Sequence, residues 1–466
     1  MRLKLRNPNL RRVLSSLLFL GVPSLNVVWA QGNGGSVQPT TSQCRVEAVD
    51  YRGWHAQRLS NRWVELIIVP QNGGRVMQVT FAGHPYFFVN PKLEGKYFPP
   101  DQSQWFNYGG DKIWLLPEGN DDEQHWAGGS DVIDDGPFTF RKVSEGEHCE
   151  AELTGTSDPK TGIQFLRNIR LDTDSPQIRF RATMKNTSGH ALEWSMQSVS
   201  QYNTADPGDS SKLNQGFRTF APANPASSYL NRYHVRFGPA ENTAASIRED
   251  GLFTLRYVHM AAELWLDSTA GWLAVVDGTR RYAMVERFQF EESRAYPGKA
   301  SIIFWTNGPE LKLSDDGEVS LRSKDEPFYL EAEINSPMCR LRAGEACTLD
   351  TEWFPTRAGS EFHTVTDAGI VLRPLRALQQ ENGKIRISGS FGVFFAGRLV
   401  AHFYNEHGKE LQALPLTDVD PSDLVSLETE IAPVEKPARI SLHLEDRNGV
   451  DRGLLQEVQV GSPEKR

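Results

Sequence analysis

The chain has 466 residues, with 50 basic and 59 acidic side chains and a formal net charge of −9. This length is typical of two or three domains. The chain has an acidic balance and no cluster of Lys and Arg beyond the N-terminus. This argues against a protein that binds nucleic acids or anionic membrane surfaces. We therefore expect no nucleic-acid partner, and no protein partner is indicated.

The first 30 residues have the pattern of an export signal. An apolar stretch without acidic residues, from Val13 to Ala30, follows five basic residues: Arg2, Lys4, Arg6, Arg11 and Arg12. This pattern predicts a signal peptide over residues 1–30, a mature chain from Gln31 and a periplasmic or secreted protein. Loss of five basic charges changes the formal charge from −9 to −14. An uncleaved membrane anchor is the alternative, against which Pro23 and Asn26 argue. No later apolar stretch is long enough to span a bilayer.

Strand patterns dominate the chain after a Gly- and Ser-rich lead-in over residues 31–43, which we expect to be flexible. Between residues 44 and 357, runs such as Val64–Val69, Arg75–Phe81 and Phe328–Ile334 are separated by turn signals, and no long segment has helical periodicity. Consecutive strands without crossover helices predict an all-β domain of antiparallel sheets. Its length favours a large β-supersandwich over a small barrel.

A second strand-rich unit is predicted over residues 360–466, after a pause in the pattern at Pro355–Gly359. Its strand signals include Gly369–Leu375 and Val393–Tyr404. About 100 residues with short strands are typical of a small immunoglobulin-like β-sandwich. The Cys–Trp–Cys pattern of immunoglobulins is absent, so this expectation concerns architecture alone.

Four cysteines remain in the mature chain, an even number that favours pairing in an oxidising compartment. Cys339 and Cys347 flank a short turn and are predicted to form one disulfide, which leaves Cys44 and Cys149 for the other. Four reduced, buried thiols are the alternative. None of the spacings resembles a zinc site, and the histidines form no ligand cluster, so no metal or cofactor is expected.

A dense group of polar and aromatic residues follows the first predicted hairpin. The segment Phe106–Glu118 carries the candidate ligand-binding residues Asn107, Asp111, Lys112, Trp114 and Glu118. Sugars are recognised by hydrogen-bonding partners for their hydroxyls beside an apolar ring surface, which this group combines. An ordinary hairpin with a core tryptophan is the alternative interpretation.

Carboxylates within strands are a further signal, because an inward-facing acid is costly unless it is paired or solvated in a cleft. Glu331 and Glu333 share one face of a predicted strand, and Glu286 interrupts an apolar one. Gln197 lies in a polar strand within Lys185–Asn203. The alternative for each acid is a salt-bridged or exposed position.

These segments, in their order and spacing, resemble the galactose mutarotase-like (aldose 1-epimerase) superfamily over about residues 55–355, and more closely an exported bacterial branch of it. The run from Leu330 to Glu345 is similar to the superfamily's strand with the catalytic base and the turn that follows it, which implies that Glu331 is the base. Asp111 and Lys112 stand where mutarotases carry an Asn-Arg pair that holds the sugar. The strand ending at Asn203 resembles the one that carries the catalytic histidine.

The sequence departs from that pattern at the proton donor. Val199, Ser200 and Gln201 occupy the expected neighbourhood of the histidine, and Lys112 cannot offer the two-pronged contact of an arginine. His125, in another segment, is a candidate to replace the missing histidine as proton donor. We therefore expect a carbohydrate-binding protein without mutarotase activity. The alternatives are an epimerase or a polysaccharide lyase or hydrolase that uses Glu331, and a structural or interaction module of the cell envelope.

Overall fold

The computed structural model describes residues 43–101, 104–119, 124–128, 131–239, 242–309, 311–313, 319–321, 324–359, 361–433 and 435–461. The predicted signal peptide, residues 1–30, and the lead-in as far as residue 42 lie outside this part of the chain. Within it, no helix is long and apolar enough to cross a bilayer. A short 3₁₀ turn, Pro297–Lys299, lies among strands and loops.

The strands, in chain order, are β1 (Arg45–Tyr51), β2 (Trp54–Ser60), β3 (Val64–Val69), β4 (Arg75–Phe81), β5 (His84–Pro85), β6 (Asp111–Leu116), β7 (Phe138–Ser144), β8 (His148–Gly155), β9 (Ile163–Asp172), β10 (Ile178–Asn186), β11 (Leu192–Asn203), β12 (Phe217–Pro222), β13 (His234–Phe237), β14 (Ala245–Ile247), β15 (Leu252–Arg256), β16 (Ala262–Leu266), β17 (Trp272–Asp277), β18 (Tyr282–Phe288), β19 (Ile302–Thr306), β20 (Leu311–Leu313), β21 (Val319–Leu321), β22 (Tyr329–Asn335), β23 (Cys339–Leu341), β24 (Ala346–Arg357), β25 (Thr364–Val365), β26 (Gly369–Gln379), β27 (Ile385–Val393), β28 (Gly397–Tyr404), β29 (Glu410–Val419), β30 (Val425–Ile431), β31 (Arg439–Asp446) and β32 (Asp451–Gln459).

Two large antiparallel sheets form the first part of the protein. A twelve-stranded sheet has the main order β1-β2-β3-β4-β6-β11-β22-β19-β16-β13, and a ten-stranded sheet has the order β14-β15-β12-β17-β18-β24-β10-β9-β8-β7. Alternate apolar side chains fill the core between them, as Leu330, Ala332 and Ile334 of β22 do. Removing such faces from water is the main source of stability. The prediction of an all-β protein with large antiparallel sheets is confirmed.

Two four-stranded sheets follow, β25-β26-β27-β30 and β29-β28-β31-β32, and share a second core. The single strand predicted over Val393–Tyr404 is wrong, because the chain turns between β27 and β28 and forms a hairpin. Phe394 at this turn stacks on Phe354 of β24 with 4.6 Å between ring centroids. A third apolar core thus joins these sheets to the outer face of the ten-stranded sheet.

Residues 40–466 form one compact unit. The boundary expected at Pro355–Gly359 stays a prediction, and so does an independently folding C-terminal domain.

The protein has two disulfides, Cys44 to Cys149 and Cys339 to Cys347. This is the predicted pairing. The first closes a sequence separation of 105 residues, whereas the second closes one of 8.

Candidate functional site

A cavity of about 280 Å³ opens on the face of the twelve-stranded sheet that points away from the second sheet. Side chains alternate between the two faces of a strand. The adjacent strands β6, β11, β22, β19 and β16 therefore place every second residue in this cavity and the others in the core. Its walls include four tryptophans, four glutamates and further polar residues: Trp105, Trp114, Trp265, Trp305, Glu118, Glu263, Glu331, Glu333, Gln197, Arg236, Tyr329 and Asn335.

The pairing of β11 with β22 sets two glutamines beside two glutamates. Gln201 is the register partner of Glu331, and its Nε2 donates a hydrogen bond of 2.5 Å to Oε1 of Glu331. Nε2 of Gln197 donates to Glu333 in the same way. In both amides the Oε1 atom is buried and has no hydrogen-bond partner. Each of these two glutamines therefore has a side-chain oxygen that can accept a further hydrogen bond.

Lys112 of β6 is buried against the same carboxylates. Its Nζ lies 3.7 Å from Oε1 of Glu331 and 3.5 Å from the ring centroid of Trp114, and has no hydrogen-bond partner. Burial lowers the pKa of Lys112, while the charge of Glu331 acts in the opposite direction. The lysine thus joins a carboxylate to the face of an aromatic wall.

Asp134 fixes two of the tryptophans by their indole N–H groups. Nε1 of Trp114 donates to Oδ1 of Asp134 at 2.7 Å, and Nε1 of Trp105 donates to Oδ2 at 3.1 Å. The buried guanidinium of Arg75 also donates to Oδ1, at 2.6 Å. A charge-paired carboxylate in the core therefore orients one wall of the cavity.

The opposite wall is formed by Trp265 on β16. Its Nε1 donates to Glu263 of the same strand, and the guanidinium carbon of Arg236 lies 5.9 Å from its ring centroid. Gly298, with φ of +56°, packs so closely that an added Cβ would lie 1.9 Å from Cζ3 of Trp265. Only glycine fits this contact.

Three carboxyl groups in the cavity, those of Glu118, Glu263 and Glu333, hold protons more tightly than ordinary glutamates. Part of the Glu118 side chain is exposed. Desolvation by the surrounding protein, followed by the charges of Glu263 and Glu331, nevertheless raises its pKa to about 7. Burial raises the pKa of Glu263 as well. Burial, followed by the charge of Glu331, raises the pKa of Glu333 well above its ordinary value. Near neutral pH the cluster can therefore both accept and donate protons.

The structure brings Lys112, Trp114, Glu118, Gln197 and Glu331 of the predicted site residues together at this cavity. His125 lines a neighbouring depression that shares Pro117 with the cavity but not its carboxylates.

Three predicted residues do not belong to this group. Asp111 directly precedes Lys112 and so points to the opposite face of β6, where it is buried and pairs with Arg167. Glu286 lies on β18 in the ten-stranded sheet, where the hydroxyl of Tyr202 donates to it at 2.5 Å and burial raises its pKa to about 8. Asn107 uses its side-chain oxygen to accept from the backbone N–H of Gly109 at 3.2 Å. These three candidate residues therefore do not line the cavity.

Sequence reasoning missed Trp105, Arg236, Glu263, Trp265 and Trp305. A weak signal was present, because Glu263 and Trp265 alternate with apolar residues along β16. Their place beside Glu331 depends on the long-range pairings of β16 with β19 and of β19 with β22.

No family model matches the chain, and no curated protein matches it. Solved structures that resemble it include galactose mutarotase-like proteins. One, from Clostridium acetobutylicum, has a TM-score of 0.41 and 10% identity and covers 68% of this chain and 100% of its own. A galactose mutarotase related enzyme from Lactobacillus acidophilus has a TM-score of 0.41 and 12% identity, with coverage of 66% and 100%.

A TPR-domain containing protein from Parabacteroides distasonis has a TM-score of 0.43 and 14% identity over 67% of this chain. This chain spans 48% of that protein's length. Similarities at this level carry no argument about activity, which has to come from the side chains of the cavity.

Proposed function

We propose that this protein is an exported carbohydrate-binding protein, that the cavity on the twelve-stranded sheet is its sugar site, and that it lacks mutarotase activity. The observation that carries the proposal is the combination of four tryptophans with glutamate and glutamine oxygens around one small cavity. The indole faces offer stacking surfaces to the C–H face of a sugar ring, and the oxygens accept from its hydroxyls.

The polar groups are arranged in a way that supports this proposal. The side-chain oxygens of Gln197 and Asn335, both in the cavity lining, are buried without partners, a state that is costly unless a ligand or water satisfies it. The indole N–H groups of Trp105 and Trp114 are held by Asp134, which fixes the orientation of both rings, and one face of Trp114 is covered by Lys112. Because both features exist before a ligand arrives, little ordering is needed on binding.

The absence of mutarotase activity is inferred from the groups near Glu331. No histidine is found among the cavity-lining residues that the structure describes. The side chain hydrogen-bonded to Glu331 is the amide of Gln201, which does not titrate. Mutarotation requires a proton donor at the ring oxygen as well as a base. Without an imidazole, that donor would have to be a carboxyl group such as that of Glu118.

The test is binding of the mature chain, residues 31–466, to a glycan array, followed by fluorescence titration of each hit. Trp105 is 41% exposed, so Trp105→Ala should leave the protein folded, with a loss of about 1 kcal/mol from its hydrogen bond to Asp134. Loss of a stacking aromatic should weaken binding by about 1–3 kcal/mol, roughly five- to 150-fold. Leu454→Ala, at a similarly exposed position in the C-terminal sheets, is the matched control and should bind normally. A protein that binds no glycan, or a Trp105→Ala variant that binds like the wild type, would contradict the proposal.

Proton-transfer catalysis on the bound sugar is a second candidate. It is favoured by one observation, the pKa of Glu118 at about 7, which makes this residue an acid in the same cavity as Glu331. General acid–base catalysis requires such a pair near the working pH.

Polarimetry on any sugar that binds separates the two candidates. If the rate of anomeric equilibration stays at its uncatalysed value, the protein is a binder. A catalysed rate that falls at least about 100-fold in Glu331→Gln, with binding retained, would establish the enzyme instead.

A further inference from the structure

Hydrogen-bond donors around the cavity are largely consumed by the protein itself. The indole N–H groups of Trp105 and Trp114 donate to Asp134, and that of Trp265 donates to Glu263. The amide N–H groups of Gln197 and Gln201 donate to glutamates of the cavity. A ligand therefore meets indole and amide donors that are already engaged, whereas Nζ of Lys112, packed on Trp114, has no hydrogen-bond partner.

Acceptors, in contrast, are left over. Gln197, 2% exposed, and Asn335, 1% exposed, both line the cavity, and each has a side-chain oxygen without a hydrogen-bond partner. Nδ2 of Asn335 is already used, because it donates to the backbone oxygen of Ala300 at 3.0 Å. Unpaired buried oxygens favour a ligand that donates.

The charges of the cavity point in the same direction. Its walls hold four glutamates, against one arginine in the wall and Lys112 beneath Trp114. With every carboxyl ionised the site would carry two negative charges in excess, and the raised pKa values of Glu118, Glu263 and Glu333 reduce that excess near neutral pH. Mutual repulsion of the carboxylates is one reason why Glu118 and Glu333 retain protons, and a cation placed among them would relieve it.

We propose that the ligand of this cavity is a sugar with a free, protonated amine. An ammonium group supplies N–H donors to the unpaired oxygens of Gln197 and Asn335 and a positive charge to the glutamates. The tryptophan faces attract the same charge through their π-electrons, and the sugar ring stacks beside them. This inference rests on the proposed function, and it narrows the sugar to one chemical class.

The experiment compares matched sugars that carry an amine, an acetamide or a hydroxyl at the same carbon. Glucosamine and galactosamine, and the β-1,4-linked trisaccharide of glucosamine, are titrated at pH 7 against their N-acetylated counterparts and against the parent neutral sugars. We expect at least one amine to bind about tenfold or more tightly than both its acetylated and its neutral partner, because a charge-assisted hydrogen bond is roughly twice as strong as a neutral one.

Variants locate the effect. Glu263→Gln keeps an oxygen that can accept from Trp265 but removes one negative charge, and Glu118→Gln removes another without touching Trp265. Each should reduce the ratio of amine to acetylated affinity at least about threefold, whatever it does to the acetylated affinity alone. Glu406→Gln, at a side chain that is 81% exposed in the C-terminal sheets, is the control and should leave the ratio unchanged.

The outcomes separate this inference from the proposed function. Glycans that bind with equal or greater affinity when acetylated, neutral or acidic would overturn the inference and leave the sugar site standing. An amine preference that survives in both glutamate variants would place the cation elsewhere and also overturn it. If no sugar of any charge binds, both proposals fail.

Discussion

The indole Nε1 of Trp114 donates a hydrogen bond of 2.7 Å to Oδ1 of Asp134. Asp134 lies outside the cavity and is itself held by the buried guanidinium of Arg75. The orientation of a wall that faces solvent is thus determined by an ion pair in the core. A site supported in this way keeps its geometry without a ligand.

Asp134→Asn should therefore impair both stability and binding. Removing one partner of a buried ion pair costs on the order of 3 kcal/mol, because the remaining charge is left poorly compensated. Asp135→Asn is the matched control, since Asp135 also pairs with Arg75, at 3.2 Å, whereas the indole N–H groups of both tryptophans donate to Asp134. Chemical denaturation should show a similar loss in both variants, whereas glycan titration should show weaker binding for Asp134→Asn alone. Equal binding by the two would refute a positioning role for Asp134.

Gly298→Ala should disturb the opposite wall. Its added Cβ would meet the ring of Trp265 at 1.9 Å, and the positive φ of residue 298 adds backbone strain of about 1 kcal/mol. Gly408→Ala controls for that strain, because Gly408 has φ of +76° and open space around its Cβ position. Both variants should lose about 1 kcal/mol of stability to backbone strain. Gly298→Ala should lose about 1–3 kcal/mol more through its contact with Trp265. We expect Gly298→Ala alone to bind glycan about tenfold more weakly by fluorescence titration, and unchanged binding would show that Trp265 is not needed.

Glu286 gives the fold a pH dependence. Burial raises the pKa of this residue from its ordinary value of 4.5 to about 8. Between these two pH values the folded state therefore holds a proton that the unfolded state has released. The free energy of unfolding should therefore fall as the pH rises from about 4.5 to 8, by an amount on the order of 3–5 kcal/mol for this group alone.

Glu286→Gln should remove this contribution, because the amide has no charged form to bury. Urea denaturation of the variant and of the wild type at several pH values should show two curves that diverge as the pH rises, with the variant more stable at pH 8. Glu406→Gln, which is exposed, should follow the wild type. Parallel curves for Glu286→Gln and the wild type would mean that Glu286 is not neutral in the folded protein.

The two disulfides should differ in their effect on stability. A cross-link stabilises mainly by restricting the unfolded chain, and more so for a longer loop. Replacing Cys44 and Cys149 by Ser opens a separation of 105 residues and should cost about 2 kcal/mol more than replacing Cys339 and Cys347, which are 8 apart. Denaturation of the two double variants measures the difference, and non-reducing peptide mapping checks the pairing. Free thiols at Cys339 and Cys347 in protein from an oxidising compartment would remove the basis of the comparison.

Much of the fold was predictable because its signals are local. Alternation and turn residues indicated β3 and β4 with their observed bounds, and the same period-two rule placed Glu331 and Glu333 on one face. The rule does not say which face of a strand is the core. Asp111 and Lys112 are neighbours in sequence, yet one enters the core and the other the cavity.

The remainder of the site depends on contacts between distant segments. Glu286 was indicated by the same pattern as Glu331, a carboxylate inside an apolar strand, but belongs to the other sheet. Trp265 and Glu331 are brought to one cavity by strands that pair through β19. No local feature of β16 indicates that Trp265 will lie near Glu331, because the register between strands far apart in sequence is fixed only when whole sheets assemble.

The stacking of Phe394 on Phe354 has a consequence for access to the molecule. It places the C-terminal sheets against the outer side of the ten-stranded sheet, whereas the cavity opens on the outer side of the twelve-stranded one. The C-terminal sheets and the mouth of the cavity therefore lie on opposite sides of the two large sheets. If the far side of the C-terminal sheets were attached to another macromolecule or to an envelope surface, the tryptophan-lined mouth would still face outward, and long glycans could enter it without steric competition from the attachment.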